Sequence, residues 1–273
     1  MTTWLINCSN YQLEYNDVDG PDAKEYWILS HPWGEEEVTF KDMQNLQRVA
    51  QKVDSMCDIV QKEGEKYAWI DACCIDKSSS AELQEAIISM FYWYKNAYRC
   101  IAYLEDLELG DGALPTEEQL RKCRWFTRGW TLQELLAPKV VTFHDKEWNS
   151  GGTKQQLATP LSNITRIGLD ILELENASLD MVPVAQKISW AAGRQTTRIE
   201  DKAYCLLGIF GVHMPLIYGE RDQAFIRLQE IIAQKTNDML LFAWIADTED
   251  QKMGPYPGLL ARDPSQFATC SAV

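Results

Sequence analysis

The chain has 273 residues, of which 46% are hydrophobic, and this suits one large domain or one domain with an appended subdomain. Forty acidic against 26 basic residues give a formal net charge of −14, which argues against a nucleic-acid partner because phosphate-backbone affinity depends on clustered Lys and Arg. No secretory leader opens the sequence and no run approaches the ~20 apolar residues of a membrane span, so we predict a cytoplasmic protein without such a span.

The first elements predicted along the chain are three strands and a long helix. Residues 4–6 and 12–15 have the pattern of a short strand pair, which we expect to cover an edge of the main sheet. A strand at 26–30 is followed by a helix at 42–62, where apolar residues recur at helical spacing. Together the last two segments predict a β-loop-α unit.

The same alternation continues to about residue 145. A strand at 68–71 precedes a helix that opens at Ser79, where Ser79 and Glu82 have the S-x-x-E form of a capping box. The next predicted elements are a strand at 100–104, a helix at 128–136 and a strand at 140–143. Strands that alternate with helices predict a mostly parallel α/β sheet with flanking helices.

Helices dominate after residue 150. They are predicted at 184–192, 201–209 and 223–235, and are followed by a late strand at 240–244 and a coil tail. We therefore predict an α/β core with an N-terminal strand pair over residues 1–150, and an appended, mainly helical C-terminal subdomain over residues 151–273.

Three stretches are expected to meet in one cleft, because ligands of parallel α/β sheets bind at the carboxyl ends of the strands. These stretches are 30–34, 71–76 and 125–134, the last of which follows Arg124. They bring together carboxylates, indoles, guanidinium groups and a polar loop, a mixture that suits a ligand with an aromatic base, a ribose and a phosphate. The candidate ligand-binding residues are Ser30, His31, Trp33, Gly34, Asp71, Asp76, Arg124, Trp125, Arg128 and Trp130, together with Glu134.

Each candidate also has a purely structural interpretation. Glu134 can be a surface helix residue paired with Arg128 or Lys139. The three indoles can pack in the core or at its rim, and His31 can satisfy a loop carbonyl. The two aspartates can cap the turn and helix that follow them.

The cysteines and histidines do not indicate a metal site. Eight cysteines show no C-x-x-C spacing, and the three histidines lie far apart in the sequence. No histidine is near Cys73 or Cys74, so we interpret the thiols as buried bystanders and not as nucleophiles.

The polar segment 194–201 is interpreted as a docking element. Arg198 with Glu200 or Asp201 would form ion pairs that hold the helical part against the sheet. In the alternative interpretation, Arg194 or Arg198 reaches a phosphate group of a ligand.

Five segments, in the same order along the chain, closely resemble the fungal heterokaryon incompatibility (HET) domain. They are residues 26–40, 67–86, 124–138, 195–210 and 214–220, and include the runs HPWG, IDACCIDK and RGWTLQELLAP. The resemblance covers nearly all of the chain. It implies a role in non-self recognition that triggers cell death, often together with a regulatory partner, and it implies no particular reaction.

A second resemblance, over residues 26–145, is to Toll/interleukin-1 receptor (TIR) domains. Residues 29–35 are similar to the loop after their first strand, and 128–135 to their helix with a Trp and then a Glu four residues on. This implies a flavodoxin-like (TIR-like) sheet, and in enzymatic TIR domains that glutamate is the catalytic residue of NAD+ cleavage. Glu134 and Trp130 take these positions, while Thr131 replaces the usual small residue or Cys. A homo-oligomer on activation is also implied.

These resemblances lead to one main functional prediction. We expect a HET-domain effector of fungal non-self recognition and regulated cell death that cleaves NAD+ or a related nucleotide, requires no cofactor, and uses Glu134 as its catalytic residue. A nearby carboxylate can stabilise the oxocarbenium character that develops on the ribose. The product, ADP-ribose or a cyclic form, stays open. The alternatives are a non-enzymatic, self-associating signalling adaptor and a sensor that binds nucleotide without chemistry.

Overall fold

The computed structural model describes residues 1–34, 37–45, 51–110, 112–174, 178–246 and 258–272, and its centre is one seven-stranded sheet. The strands are β1 Thr2–Asn7, β2 Leu13–Asp17, β3 Trp27–Ser30, β4 Tyr67–Ile70, β5 Arg99–Tyr103, β6 Val141–His144 and β7 Ser150–Thr153. Their order across the sheet is β2-β1-β4-β3-β5-β6-β7.

The four central strands are parallel. Ile28 of β3 lies opposite Trp69 of β4 on one side and Cys100 of β5 on the other. Counted in chain order these four strands lie in the order 2-1-3-4, which is that of flavodoxin-like sheets. Every residue of β3 and β6 is buried, as expected for strands covered on both faces. The predicted α/β sheet with flanking helices is therefore confirmed.

Antiparallel strands at both ends make the sheet mixed. The predicted N-terminal strand pair is present, and β1 extends the sheet by pairing with β4, where Ile6 lies opposite Ala68. At the other end β7 pairs with β6 and was not predicted, because its sequence contains Gly151 and Gly152 and few residues that favour strands.

Twelve α-helices are present among the described residues. They are α1 Phe40–Gln44, α2 Gln51–Lys62, α3 Asp71–Cys74, α4 Ser80–Asn96, α5 Glu117–Lys122, α6 Thr131–Leu136, α7 Ala158–Thr165, α8 Leu169–Glu173, α9 Val184–Ser189, α10 Asp201–Tyr204, α11 Leu207–Phe210 and α12 Gln223–Lys235. Short 3-10 helices lie at Arg124–Thr127, Leu179–Met181, Met239–Phe242, Pro264–Phe267 and Cys270–Ala272.

Several predicted helices differ in extent from those observed. The helix expected at 42–62 is described as α1 and α2, with Asn45 ending α1, and residues 46–50 lie outside the described residues. The helix expected at 201–209 is divided into α10 and α11. The helix expected from Arg128 starts only at Thr131, whose hydroxyl donates to the carbonyl of Arg128.

Two further local predictions are corrected by side-chain hydrogen bonds. Ser79 caps α4 as expected, but Glu82 accepts from the backbone N–H of Asp76, 3.3 Å away, and so does not complete a capping box. The prediction of a late strand at 240–244 is wrong, because Met239–Phe242 forms a 3-10 helix whose first turn is capped by Asp238. A short apolar run does not by itself distinguish a strand from a helical turn.

The C-terminal helices pack directly against the sheet half of the molecule. A Cβ atom placed on Gly208 in α11 would lie 2.1 Å from Cβ of Phe91 in α4, so the two helices are in close contact. The backbone N–H of Gly129 donates to the carbonyl of Gln195 at 2.8 Å. None of the helices described is both long and apolar enough to cross a membrane.

Candidate functional site

A cavity of about 630 Å³ opens at the carboxyl ends of β3 and β4, and this volume lies in the usual range for small-molecule sites. Seven of the residues predicted for the site lie on its wall. They are His31, Trp33, Asp71, Arg124, Arg128, Trp130 and Glu134. The apolar side of α4 forms another part of the wall through Leu83, Ile87 and Met90. The cavity therefore combines charged, aromatic and aliphatic surface.

Glu134 lies in the first turn of α6, and its side chain is buried beside the end of β3. Its Oε2 accepts a hydrogen bond from the hydroxyl of Ser30, and that hydroxyl accepts one from Nε1 of Trp125 at 2.7 Å. Ser30 and Trp125 thus lie behind the carboxylate and hold it in place, and neither is on the cavity wall. The alternative of an exposed, ion-paired Glu134 is wrong, because the residue is buried and has no ion pair within the described chain.

Burial raises the pKa of Glu134 to about 7. The hydrogen bond from Ser30 opposes this change, while the charge of Asp71 adds to it. A carboxyl group with a pKa near neutrality is present in both protonation states at physiological pH. Such a group is therefore suited to a reaction in which charge develops beside it.

Asp71, Trp33 and Lys77 form a cluster on one side of the cavity. Nε1 of Trp33 donates to Oδ2 of Asp71 at 2.7 Å, and Nζ of Lys77 lies 3.3 Å from the centre of the Trp33 ring. Oδ1 of Asp71 is buried and has no hydrogen-bond partner among the described residues. Asp71 is the first residue of α3 and does not act as its N-cap, so the capping interpretation of this residue is wrong.

His31 and Gly34 belong to the loop that follows β3, and both contact Glu37. Nε2 of His31 lies 3.3 Å from Oε2 of Glu37, and the N–H of Gly34 donates to Oε1 at 2.9 Å. Burial alone would raise the pKa of Glu37, but the bonds from His31 and Lys52 lower it overall. His31 therefore contacts a carboxylate and not a loop carbonyl, while Gly34 is outside the cavity wall.

Two other predicted residues do not reach the cavity. Asp76 accepts hydrogen bonds from the backbone and hydroxyl of Ser78, at 2.9 and 2.6 Å, so it caps a turn as its structural interpretation expects. Trp125 is fully buried, edge-on to Phe143. On the wall itself, Arg124 is exposed and forms an ion pair with Glu105 at 3.2 Å.

A further part of the wall comes from the C-terminal part of the chain, which the sequence predicted as a docking element or, in the alternative, as the source of an arginine that reaches a ligand phosphate. It is formed by Gln195, Thr196, Thr197, Arg198, Asp201 and Tyr218. The hydroxyl of Tyr218 donates to Oδ1 of Asp201 at 3.0 Å, and the guanidinium of Arg198 lies 4.2 Å from the centre of the Tyr218 ring. Burial raises the pKa of Asp201, against the opposing hydrogen bonds from Tyr218 and Trp130.

The docking role predicted for Arg198 belongs to Arg194. Nη1 of this buried residue donates to the carbonyl of Arg128 and to the hydroxyl of Thr131, at 2.9 and 3.0 Å. Among the described residues, no ion pair joins Arg198 to Glu200 or Asp201. The signal for this part of the wall was the polar segment 194–201, whose alternative interpretation has Arg194 or Arg198 at a ligand phosphate.

All eight cysteines are free and buried. Burial raises the pKa of the Cys73 and Cys74 thiols, which makes them poor nucleophiles. Within the described ranges, no three His, Cys, Asp or Glu side chains converge as metal ligands would.

Comparison with known proteins identifies two relationships. Residues 26–113 match the family described as heterokaryon incompatibility protein (HET). The vegetative incompatibility protein HET-E-1 of Podospora anserina is 44% identical over 229 residues, which represent 80% of this chain. The chain spans 17% of the length of that relative. No solved structure matches the chain.

Proposed function

Because this chain is a heterokaryon incompatibility (HET) domain protein, we propose that it acts in non-self recognition as a cytoplasmic effector of regulated cell death. Its reaction is cleavage of NAD+ at the bond between nicotinamide and ribose, and Glu134 is the catalytic residue. The observation that carries this proposal is a buried carboxylate, held by Ser30, at the wall of a cavity that also has indoles and cations on its wall.

The chemistry requires only a few groups. The bond from the nicotinamide nitrogen to ribose C1′ breaks, and both electrons leave with nicotinamide as a neutral molecule. Water adds to C1′ and releases a proton, which yields ADP-ribose. The ribose acquires oxocarbenium character on the way, and a carboxylate in a water-poor site stabilises that charge more strongly than it would in bulk water.

The other cavity residues have supporting roles. Ser30 and Trp125 restrict the Glu134 carboxylate to one orientation, since the hydroxyl between them donates to one and accepts from the other. Trp33 and Trp130 present indole surface on which the flat nicotinamide and adenine rings can stack. Asp71 provides an acceptor for ribose hydroxyl groups.

Nicotinamide release from NAD+ by the purified chain tests this proposal. We expect release by the native protein and a loss of at least about 100-fold in kcat for Glu134→Gln, which keeps the shape and the Ser30 contact but removes the charge. Glu118→Gln is the matched control, because Glu118 is exposed on α5 and pairs only with Lys122. Equal rates for native protein and Glu134→Gln would exclude Glu134 as the catalytic residue.

The pH profile of nicotinamide release tests whether the reaction depends on the ionisation of Glu134. Since the ionised form stabilises the positive charge, kcat/KM, which reports ionisations of the free enzyme, should rise between pH 6 and pH 8 around the pKa of about 7. A profile that is flat across this range would contradict the assigned role.

A second candidate function is a non-enzymatic, self-associating adaptor. It is favoured by exposed apolar side chains in the C-terminal part, among them Met181 and Met239, which are 87% and 73% exposed. Both functions accommodate a homo-oligomer and a regulatory partner protein. Cell killing that persists in Glu134→Gln, with no nicotinamide release by the native protein, would support the adaptor and reject the enzyme.

A further inference from the structure

Two cations of the cavity are held by aromatic rings and not by carboxylates. Lys77 lies over Trp33 at 3.3 Å, and Arg198 lies over Tyr218 at 4.2 Å. Among the described residues, neither cation takes part in an ion pair. An aromatic face attracts a cation through its quadrupole but does not neutralise it, and both side chains lie on the cavity wall where a ligand can contact them.

Other cations of the chain also lie over aromatic rings, as Arg99 does over Trp27, but these positions are outside the cavity wall. The protein has a formal net charge of −14, and elsewhere cations such as Lys52, Arg121 and Arg227 pair with nearby glutamates. In the cavity, Arg128 adds a third cation without an ion pair among the described residues. The carboxyl groups on the same wall, Asp71, Glu134 and Asp201, equal these cations in number but form no ion pair with them within the described chain, so the cations can bind an anionic ligand.

The two cations belong to different halves of the molecule. Lys77 follows α3 in the sheet half, while Arg198 lies in the segment that packs against Gly129 through the backbone of Gln195. A ligand that contacts both must bridge these two parts of the wall. Glu134 lies on the wall of the same cavity.

We propose that Lys77 and Arg198 are the phosphate-binding residues of this cavity, and that its ligands are therefore phosphate-bearing nucleotides and not free nucleosides. This inference rests on the proposed function, because it assigns the phosphate-bearing part of the substrate to these two side chains. It also makes the C-terminal part of the chain a component of the binding site, through Arg198. Charged hydrogen bonds from Lys and Arg are the usual way in which proteins bind phosphate.

Calorimetric titration of the full chain with ADP-ribose and with adenosine tests the assignment. Lys77→Gln and Arg198→Gln should each weaken ADP-ribose binding about 10-fold, and the double variant about 100-fold, as expected for the loss of hydrogen bonds to a charged group. Adenosine, which has no phosphate, should change by less than about 2-fold. Lys122→Gln, which removes one exposed charge from α5, is the matched control and should leave both affinities unchanged.

Conservative variants distinguish phosphate binding from a structural role. Lys77→Arg and Arg198→Lys keep the charge but change the donor geometry, so each should bind ADP-ribose more tightly than its glutamine counterpart and no more tightly than the native protein. Unchanged ADP-ribose affinity in the glutamine variants, equal weakening of both ligands, or absence of ADP-ribose binding by the native protein would each overturn the assignment. Binding that depends on Lys77 and Arg198 without nicotinamide release would leave the phosphate site intact and reject only the proposed reaction.

Discussion

The buried carboxyl group of Glu134 should make the stability of the protein depend on pH in a specific direction. Its pKa is about 7 in the folded chain, whereas the ordinary value for Glu is 4.5. The folded state therefore binds more protons than the unfolded state between these two pH values. The free energy of unfolding must then decrease as the pH rises through this interval.

The size of the effect follows from the two pKa values. A group with an ordinary pKa of 4.5 and a folded pKa of about 7 contributes a change of about 3 kcal/mol across the interval. The contribution is absent below pH 4.5, where the carboxyl group is protonated in both states, and is complete above about pH 8. In a chain of this size it corresponds to roughly 6 to 12 °C in melting temperature.

The comparison of native protein with Glu134→Gln isolates this contribution, because Gln cannot ionise and still accepts the hydrogen bond from Ser30. Urea unfolding of both proteins at pH 5, 6, 7 and 8 should show the variant gaining about 2.5 kcal/mol of stability relative to the native protein between pH 5 and pH 8. Glu118→Gln, at an exposed site, should show no such trend between pH 6 and 8. A difference between native and Glu134→Gln that is independent of pH would refute the reasoning.

Three further perturbations follow from the same contacts. Ser30→Ala removes the acceptor of the buried Trp125 N–H and the donor to Glu134, so we expect the unfolding free energy to fall by about 1 to 3 kcal/mol. The pH profile of kcat/KM for nicotinamide release should also move to higher pH, because the hydrogen bond from Ser30 lowers the pKa of Glu134. An unmoved profile would contradict the contact. Gly129→Ala would place a Cβ atom 2.5 Å from Cγ2 of Thr196 and should lower the unfolding free energy by about 1 to 3 kcal/mol. In a urea titration, adding Thr196→Ser, which removes that methyl group, should restore most of the lost stability. All eight thiols are buried, so the folded protein should resist a thiol-specific reagent at pH 7.5 and react at all eight in urea; rapid reaction of any thiol in the folded state would show that its burial is incomplete.

The parallel strands were the part of the fold that the amino-acid sequence predicted best. Each is a short apolar run, and the observed strands β3 and β5 begin or end within one residue of their predictions. Such runs are recognisable because a strand covered on both faces excludes polar residues at every position. The strand β7 has no such signal, since Gly151 and Gly152 occupy its centre and it acquires its conformation by pairing with β6.

The ends of the helices were harder to predict from the sequence, because side-chain hydrogen bonds determine them. The helix with Glu134 was expected to start at Arg128, but the hydroxyl of Thr131 donates to the carbonyls of Trp125 and Arg128 and closes a separate turn. Helical periodicity is nearly the same for one long helix as for two short segments in sequence. The position of the turn was therefore not evident from spacing alone.

The amino-acid sequence by itself determined which segments form the central sheet, which loops leave its carboxyl ends, and which residues of those loops carry chemical groups. Only the tertiary structure decided that Ser30 holds Glu134 across 104 residues, that Trp125 and Asp76 stay outside the cavity, and that Arg198 lies on the cavity wall. The physical reason is that apolar periodicity reports the local conformation and burial of a segment. Contacts between distant segments depend instead on strand order and on the packing of one half of the chain against the other.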